Sequence, residues 1–418
     1  MTQLHRVILK RKALKDYELL IGPAAVEEIM SVARGLKGLR LLHVNSTAFG
    51  GGVAELLNSL VALEVDAGLK AEWRVLEKNE RFFEITKKIH NALQGKRDGL
   101  TEAEKNFYLE TNEHYAKQLN NHFDAIIVHD PQPAAIHRFA PKSISKWIWR
   151  CHIDTSQPDP EVWAFLQPLL QEYDAAIFTM RQFAPPGFTG PFLAFIPPAI
   201  DPLTAKNRSL PRYLCHEVVA ECGVDLRKPM ILQVSRFDPW KDPEGVIAAY
   251  HQVKRRVPEV QLVLIGAMAE DDPEAWEIYK TIREEDDKDP DLHVLTNLSG
   301  VNAHEVNAFQ RVADVVIQKS IREGFGLVVS EALWKETPVV AGNTGGIRLQ
   351  MEDGVGGFLV DSVEETADRT HYLLTHPEEA EAIARRGWER IHNRFLMPRL
   401  LLDELKLIQS LVGVTHPA

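Results

Sequence analysis

The chain has 418 residues, which predicts two domains of roughly 200 residues each. Apolar residues make up 45% and charged residues 26%, the balance of an ordinary globular protein. The formal net charge of −11 argues against a nucleic-acid partner.

Compartment signals point to the cytoplasm. The three cysteines form neither a zinc spacing nor a disulfide framework, which suits a reducing compartment. The first twenty residues are charged throughout and contain no signal-peptide apolar core. No apolar run approaches about 18 residues, so no membrane-spanning segment is expected.

Short apolar runs alternate with helix-period segments along the chain. In the first half we predict strands at 39–46, 71–77, 124–130, 146–154 and 175–180. After a proline-rich linker the alternation restarts, with strands predicted at 229–237, 260–267, 292–297, 315–320 and 337–342. Near-continuous apolar strands separated by helices are typical of parallel sheets covered on both faces.

The sequence therefore predicts an α/β protein of two tandem Rossmann-like, doubly wound domains with a cleft between them. The first domain is predicted over 1–200 and the second over 201–395, with the linker at 194–212. A C-terminal helix over 396–418 is expected to pack back on the first domain. Segment 79–122 is interpreted as helical and polar, without an assigned place.

In open α/β sheets, ligands bind beyond the carboxyl ends of strands, where glycine turns meet helix N-termini. In the first domain "NSTAFGGGVAE" (45–55) is such a junction, and a plain tight turn is an equal alternative. "VHDPQP" and "RCHIDTS" end two further strands. They place polar side chains that we expect to face the cleft, at His129, Asp130, His152 and Asp154. A structural role for the histidines stays open.

The second domain carries two more junctions. "VSRFDPWKDPEGVI" (234–247) sets Arg236 and Lys241 around a turn, where they suit phosphate oxygens unless the loop is simply solvated. "REGFGLVVSEALW" (322–334) puts a glycine turn before a helix. Its amides, from Gly324 to Leu327, could hold a diphosphate. Glu323 and Glu331 would then face hydroxyl groups, with a capping or surface role as the alternative.

No metal site is predicted. The chain contains no HExxH, no CxxC pair and no nucleophile elbow. Paired aspartates within 269–276 and 283–291 are interpreted as solvated charge.

These residues together resemble retaining glycosyltransferases of the GT-B fold. The resemblance rests on the E-x7-E spacing of Glu323 and Glu331, on the Arg/Lys pair of "SRFDPWKDP" and on "PPAID" before the second domain. Over its length, with "HVNSTAFGGGVAE" and "CHIDTSQP", the chain is more similar to trehalose synthases of the glycosyltransferring type. Those enzymes join a nucleotide-activated glucose to free glucose, giving the α,α-1,1 disaccharide.

The resemblance implies a catalytic set and two binding sets. The implied catalytic residues are Glu323, His152, Arg236 and Lys241. Arg236 and Lys241 would neutralise the donor diphosphate, Glu323 would hold hydroxyls of the donor glucose, and Glu331 would hold the ribose. The other implied donor-binding residues are Gly51, Gly52, Gly324, Phe325, Gly326 and Leu327, with Gly345 and Gly346 near the donor sugar. His152 would lie near the reacting carbon, and the acceptor glucose would be bound by Asp130, His152 and Asp154.

The implied partners are a nucleoside diphosphate glucose (ADP-, UDP- or GDP-glucose), glucose and trehalose, with no metal or other cofactor. A retaining trehalose phosphorylase is an alternative, although those chains are usually longer. A glucosyltransferase with another acceptor, a GT-B epimerase and a non-catalytic nucleotide-sugar sensor are further alternatives. Oligomeric state stays open, with a homodimer as one possibility.

Overall fold

The computed structural model describes residues 3–119, 122–141, 145–268 and 273–413. The chain divides into two compact units. Unit 1 contains the residues up to Pro198 and those from Met397 onward, and unit 2 runs from Ala199 to Leu396. Among the described residues, no helix is both long and apolar enough to cross a membrane.

Unit 1 is built on a seven-stranded sheet. Its strands are β1 (Leu4–Arg6), β2 (Arg40–Asn45), β3 (Lys70–Leu76), β4 (Ala125–His129), β5 (Lys146–Cys151), β6 (Ala175–Phe178) and β7 (Phe192–Phe195). Their order is β1-β3-β2-β4-β5-β6-β7, and only β1 pairs antiparallel. The helices before and between these strands are α1 (Glu18–Ile21), α2 (Pro23–Gly35), α3 (Gly52–Asp66), α4 (Glu80–Leu93), α5 (Glu102–Ala116), α6 (Ile136–Phe139) and α7 (Pro160–Leu170).

Unit 2 has its own seven-stranded parallel sheet. Its strands are β8 (Met230–Ser235), β9 (Gln261–Gly266), β10 (Leu292–Thr296), β11 (Val315–Gln318), β12 (Val339–Gly342), β13 (Glu352–Asp353) and β14 (Gly356–Val360). They lie in the order β10-β9-β8-β11-β12-β14-β13. The helices are α8 (Arg212–Glu221), α9 (Pro243–Lys254), α10 (Pro273–Asp286), α11 (Ala303–Val312), α12 (Leu327–Trp334), α13 (Ile347–Gln350), α14 (Val363–Thr375) and α15 (Pro377–Arg394).

The last helix, α16 (Met397–Val412), packs against α2 and α3 of unit 1. Its apolar side chains are buried at Leu400, Leu401, Leu405 and Ile408. One polar residue, Glu404, is buried with them. A carboxylate on the inner face of an apolar helix requires a polar partner inside the unit.

The polar segment 79–122 forms α4 and α5, which cover one face of the unit 1 sheet. Phe82, Ile85 and Ile89 recur at helical spacing on α4 and are buried in the core. A capping box between Thr101 and Glu104 begins α5, because each side chain accepts from the other's backbone N–H. The two helices pack on each other.

The central strands of both sheets are buried on both faces, and this explains their near-continuous apolar sequences. The predicted solvated charge at 283–291 is wrong for two of its aspartates. Lys254 Nζ lies 2.5 Å from Asp289 Oδ1 and 2.9 Å from Asp291 Oδ2, so these carboxylates form an internal ion cluster. Residues 269–272 of the other aspartate-rich segment lie outside the described residues.

Candidate active site

Strand order in each unit indicates where a ligand should bind. In unit 2 the chain runs outward in one direction from β8 to β9 and β10, then returns to β11 on the other side of β8. In unit 1 the same reversal separates β2 from β4. Ligands of open α/β sheets bind beyond the carboxyl ends of the strands at such switch points.

Arg236 and Lys241 follow the carboxyl end of β8, at the unit 2 switch point. Lys241 Nζ lies 2.5 Å from Glu323 Oε2, which follows the neighbouring strand β11. Ser320 Oγ donates a second hydrogen bond to the same carboxylate oxygen, at 3.1 Å. The structure therefore brings together a predicted cation and a predicted carboxylate that are 82 residues apart in sequence.

Arg236 is held more loosely than Lys241. Its Nη2 donates to Asp238 Oδ2 at 3.2 Å, and 60% of its side chain is exposed. The Asp238 carboxylate also accepts from the backbone N–H of Lys241, and so it fixes the turn that carries both cations. An exposed guanidinium with one weak partner remains able to fork onto phosphate oxygens.

The glycine turn before α12 is packed tightly against a second glycine pair. A Cβ at Gly345 would lie 1.8 Å from the Glu323 carbonyl oxygen, and one at Gly346 would lie 2.4 Å from that of Gly324. Gly346 N–H also donates to the Glu323 carbonyl at 3.3 Å. Because only glycine fits at either position, the backbone around Glu323 is held in one place. Gly326, at the start of α12, has φ of 81° and supplies no capping side chain to the helix N-terminus.

Glu331 lies inside α12, four residues after Leu327 at the start of the helix. Only 2% of it is exposed, and its carboxylate contacts Lys206 Nζ at 3.5 Å and Gln310 Nε2 at 3.4 Å. The neighbouring Lys335 is buried too, and desolvation lowers its pKa to about 7, although Glu331 opposes the shift. A ligand hydroxyl at Glu331 would therefore replace protein partners.

The glycine loop of unit 1 connects β2 to α3. Gly50 and Gly51 have φ of 71° and 107°, and α3 begins at Gly52. No heavy atom lies within 4 Å of a Cβ built at Gly50 or Gly51, so backbone conformation, not packing, requires glycine at these positions. Phe49 beside them is 85% exposed.

Asp130 and His152 meet at the carboxyl ends of β4 and β5. The backbone N–H of His152 donates to Asp130 Oδ1 at 2.8 Å, and Asp130 has a left-handed φ of 62°. Desolvation raises the pKa of Asp130 to about 7, opposed by that hydrogen bond. Asp154 accepts from the Ser156 N–H at 2.9 Å, which makes a local turn.

His129 does not face outward, as the sequence had suggested. It is fully buried and bridges two other rings, with Nδ1 3.0 Å from His152 Nε2 and Nε2 3.0 Å from His43 Nδ1. The prediction is wrong for His129 because its side chain points into the sheet–helix core, while His152, one strand over, is half-buried.

The chain of rings continues into buried carboxylates. His43 Nε2 lies 3.0 Å from Glu64 Oε2 and 3.8 Å from Glu404 Oε1. Glu404 Oε2 accepts from Arg150 Nη1 at 2.5 Å. Desolvation dominates each pKa shift in this cluster: it lowers that of His43 to about 4 and raises those of Glu64 to about 8 and Glu404 to about 7. The pKa values of His129 and His152 are lowered for the same reason, so burial favours the neutral form of all three rings.

The sequence analysis missed the four polar residues that support His152 from within: His43, Glu64, Arg150 and Glu404. The sequence did contain an indication of these buried polar residues. Each interrupts an apolar run, as in "RLLHVN", "VALEVD", "WIWRC" and "LLLDELKLI". Polar residues at core positions of predicted strands and helices need buried partners.

A depression of about 290 Å³ in unit 2 lies far from these residues in the topology. Its lining includes Arg212, Lys228 and Asp314, next to the amino ends of β8 and β11. The predicted donor residues lie at the carboxyl ends of the same strands, and for this reason we do not assign the depression to the donor.

Comparison with known proteins agrees with this architecture. Residues 43–185 match the family described as "Trehalose synthase, N-terminal domain", and residues 218–390 match "Glycosyl transferases group 1". A trehalose synthase from Rubrobacter xylanophilus is 51% identical over 417 residues, covering 98% of this chain and 100% of the relative. This chain belongs to the trehalose synthase family. It is a glycosyltransferase.

Other known proteins are also similar to this chain. A trehalose synthase from Thermococcus litoralis is 46% identical over 96% of this chain and 97% of its own length. A trehalose phosphorylase from Pleurotus pulmonarius is 28% identical, and the match spans 56% of that longer protein. The solved sucrose-phosphate synthase from Thermosynechococcus elongatus has a TM-score of 0.69 at 16% identity, covering 90% of this chain and 100% of that one. The fold is therefore GT-B, as predicted for the trehalose synthase family.

Proposed function

We propose that this protein transfers a glucosyl group from a nucleoside diphosphate glucose to free glucose and releases trehalose and the nucleoside diphosphate. The observation that carries the proposal is the Lys241–Glu323 pair at the unit 2 switch point, in a chain that belongs to the trehalose synthase family. A cation and a carboxylate side by side suit a substrate with a diphosphate next to a polyhydroxyl ring.

The reaction breaks the bond between the donor C1 and the phosphate oxygen. A new bond forms between C1 and the acceptor's anomeric hydroxyl oxygen, on the same face of the ring. The acceptor proton passes to the departing diphosphate oxygen, so no protein nucleophile is required. In such a step negative charge builds on the diphosphate and positive charge on the sugar, and preorganised groups of opposite sign stabilise both.

The proposed roles are those that the resemblance to the family implies for these residues. Arg236 and Lys241 are proposed to bind the diphosphate, together with the uncapped N-terminus of α12. Glu323 is proposed to bind donor sugar hydroxyls, and Asp130 to bind the acceptor. The outer nitrogen of His152 is proposed to contact the donor sugar.

The test is product analysis. The purified protein is mixed with glucose and, in separate reactions, ADP-, UDP- or GDP-glucose. We expect trehalose and the matching nucleoside diphosphate in equal amounts with at least one donor. Trehalose formed only from glucose 1-phosphate, with phosphate released, would instead establish a phosphorylase. Binding of the nucleotide sugars without any product would support a sensor.

We also propose that no divalent metal takes part in turnover. Two cationic side chains and a helix N-terminus can offset diphosphate charge without an ion. Rates measured before and after treatment with EDTA and gel filtration should therefore agree. Loss of activity that Mg²⁺ or Mn²⁺ restores would contradict this proposal.

Glu331 is expected to matter for donor affinity. The variant Glu331→Gln keeps the size of this buried side chain but loses its charge. We expect the donor KM to rise by about 10- to 100-fold, the cost of one charged hydrogen bond, with kcat and the acceptor KM nearly unchanged. The matched control is Glu336→Gln, at an exposed position just after α12. An unchanged donor KM in Glu331→Gln would show that this carboxylate only pairs with Lys206.

A cytoplasmic location is part of the proposal. The three cysteines, Cys151, Cys215 and Cys222, are all free thiols, which suits a reducing compartment. Cell fractionation with an antibody against the protein would test it, and recovery in an extracytoplasmic fraction would contradict it.

A further inference from the structure

Three histidine rings link the outer end of the unit 1 site to its core. His152, His129 and His43 are joined by two N···N contacts of 3.0 Å each, and neighbouring rings have centroids 5.3 Å apart and planes inclined by 22° (His43–His129) and 17° (His129–His152). His43 continues the chain to Glu64 Oε2 at 3.0 Å. Among the described residues, no partner is recorded for the Nδ1 atom of His152, at the outer end.

The hydrogen bonds along this chain of neutral rings can run from donor to acceptor in only two directions. A neutral imidazole carries one N–H donor and one acceptor nitrogen. If His43 donates to Glu64, it must accept from His129, which in turn must accept from His152. His152 then presents Nδ1 as an acceptor. If Glu64 donates to His43, every bond reverses and His152 presents an Nδ1–H donor.

The buried carboxyl groups decide the direction. The Glu64 and Glu404 carboxyl groups converge on His43 Nε2, at 3.0 Å and 3.8 Å, and one atom from each of the three residues lies within 4.8 Å of the others. Neither Glu64 Oε1 nor Glu404 Oε1 has a hydrogen-bond partner among the described residues. One proton shared between these two oxygens satisfies both. The same proton placed on Glu64 Oε2 would leave both Oε1 atoms without a hydrogen bond in the core, where an unpaired polar atom destabilises the fold.

Charge balance supports the shared proton. Arg150 is about 1% exposed and binds Glu404 Oε2, so its charge offsets one carboxylate. A second ionised carboxylate at the same place would leave an uncompensated negative charge inside the unit. One proton on the pair makes the whole cluster neutral, with three neutral rings.

We propose that Glu64 and Glu404 share one proton, and that this fixes the histidine chain so that His152 presents the lone pair of Nδ1. His152 would then accept a hydrogen bond from a sugar hydroxyl. His43, His129, Glu64 and Glu404 act as positioning residues, since each is buried and acts through the next. The tautomer does not depend on the proposed function, whereas the sugar contact rests on it.

A divalent cation is the competing occupant. His43, Glu64 and Glu404 each offer an atom, and these atoms lie within 4.8 Å of one another. A cation there would take the place of the shared proton. However, it would add positive charge beside the Arg150 guanidinium, which already holds Glu404.

The tautomer can be measured directly. The chain has 16 histidines, and ¹⁵N-histidine labelling followed by NMR reports which ring nitrogens carry hydrogen. The His152 signals are assigned by their loss in His152→Gln. We expect Nε2 protonated and Nδ1 bare in the unmodified protein. A protonated Nδ1 would overturn the proposal even if the protein makes trehalose, and failure to make trehalose would leave the tautomer measurement valid.

Two substitutions at Glu64 test whether this residue sets the tautomer of His152 or only stabilises the fold. In Glu64→Gln the amide can donate to Glu404 and its carbonyl can accept from His43, so the tautomer and kcat should be kept. In Glu64→Leu the acceptor is lost; we expect both His152 tautomers and a kcat about tenfold lower. If Glu64→Leu does not fold, the His152 tautomer measured in Glu64→Gln and in the unmodified protein still tests the proposal. A changed tautomer in Glu64→Gln would contradict the proposal.

The metal content of the protein tests the competing possibility of a bound cation. The purified protein, dialysed without chelator, should contain no stoichiometric metal, and adding Zn²⁺ or Mn²⁺ should leave the His43 and His152 signals in place. One bound ion per chain, retained through dialysis and reduced in Glu64→Gln, would replace the shared proton with a metal site.

Discussion

Alanine at Arg236 is expected to lower kcat by roughly 10²–10³-fold, the loss seen when one group that stabilises developing negative charge is removed. The guanidinium would lose its contact with the departing diphosphate. Because 60% of the side chain is exposed and it pairs with Asp238, two residues away, folding should not depend on it. Steady-state rates with saturating nucleotide-activated glucose measure the effect.

The chain offers a close control for this experiment. Arg227 is also an exposed arginine of unit 2, paired with an aspartate two residues away, Asp225, at 2.8 Å. It precedes β8, whereas Arg236 follows that strand. Arg227→Ala should therefore match the unmodified protein in both melting temperature and turnover. An Arg236→Ala enzyme that stays within a few-fold of full activity would remove Arg236 from the proposed donor site.

Arg236→Lys refines the same prediction. Lysine keeps the charge but not the planar fork that binds two phosphate oxygens at once. We expect this variant to recover only part of the lost kcat. Full recovery would mean that charge alone matters at this position.

Much of the fold could be predicted because the strands carry their own signal. Each of the ten predicted strands overlaps an observed one, since burial of the central strands on both faces makes their sequences continuously apolar. Two of the missed strands, β1 and β14, lack that signal. β1 has three residues, two of them exposed, and β14 begins with two glycines. Both exist because a neighbouring strand supplies their hydrogen bonds, which no local pattern reveals.

The candidate site was only partly visible in the sequence. Arg236, Lys241 and Glu323 stand out because they flank glycine turns after strands. The contact between Lys241 and Glu323 joins two strand ends and depends on the order of β8 and β11 in the sheet. The buried cluster depends on still more distant partners, since Arg150 and Glu404 are 254 residues apart. One sequence cannot pair residues across such a distance.

The contact between Glu323 and Lys241 bears on the predicted role of Glu323. A carboxylate beside a phosphate-binding turn opposes anion binding, yet here it also neutralises Lys241 at 2.5 Å. In the proposed donor site, a bound diphosphate would compete with Glu323 for Lys241. The released carboxylate can then accept sugar hydroxyls, and its charge favours a developing sugar cation more than the neutral substrate.

Glu323→Ala should therefore separate kcat from donor affinity. We expect kcat to fall by roughly 10²-fold or more, because a charge that favours the transition state is lost. The donor KM should stay level or fall, because Lys241 becomes free to bind the diphosphate. Glu323→Gln, which keeps the hydrogen-bond acceptor and loses the charge, should have an intermediate kcat.

The control for this experiment is Glu352→Ala, which breaks an ion pair with Arg390 elsewhere in unit 2. It should leave both constants unchanged, since an exposed pair contributes little. Steady-state kinetics with glucose as acceptor compare the three variants with the unmodified enzyme. If Glu323→Ala keeps its kcat and only its donor KM rises, Glu323 is a binding group. In that case the transition-state charge must be stabilised by the diphosphate and its cations alone.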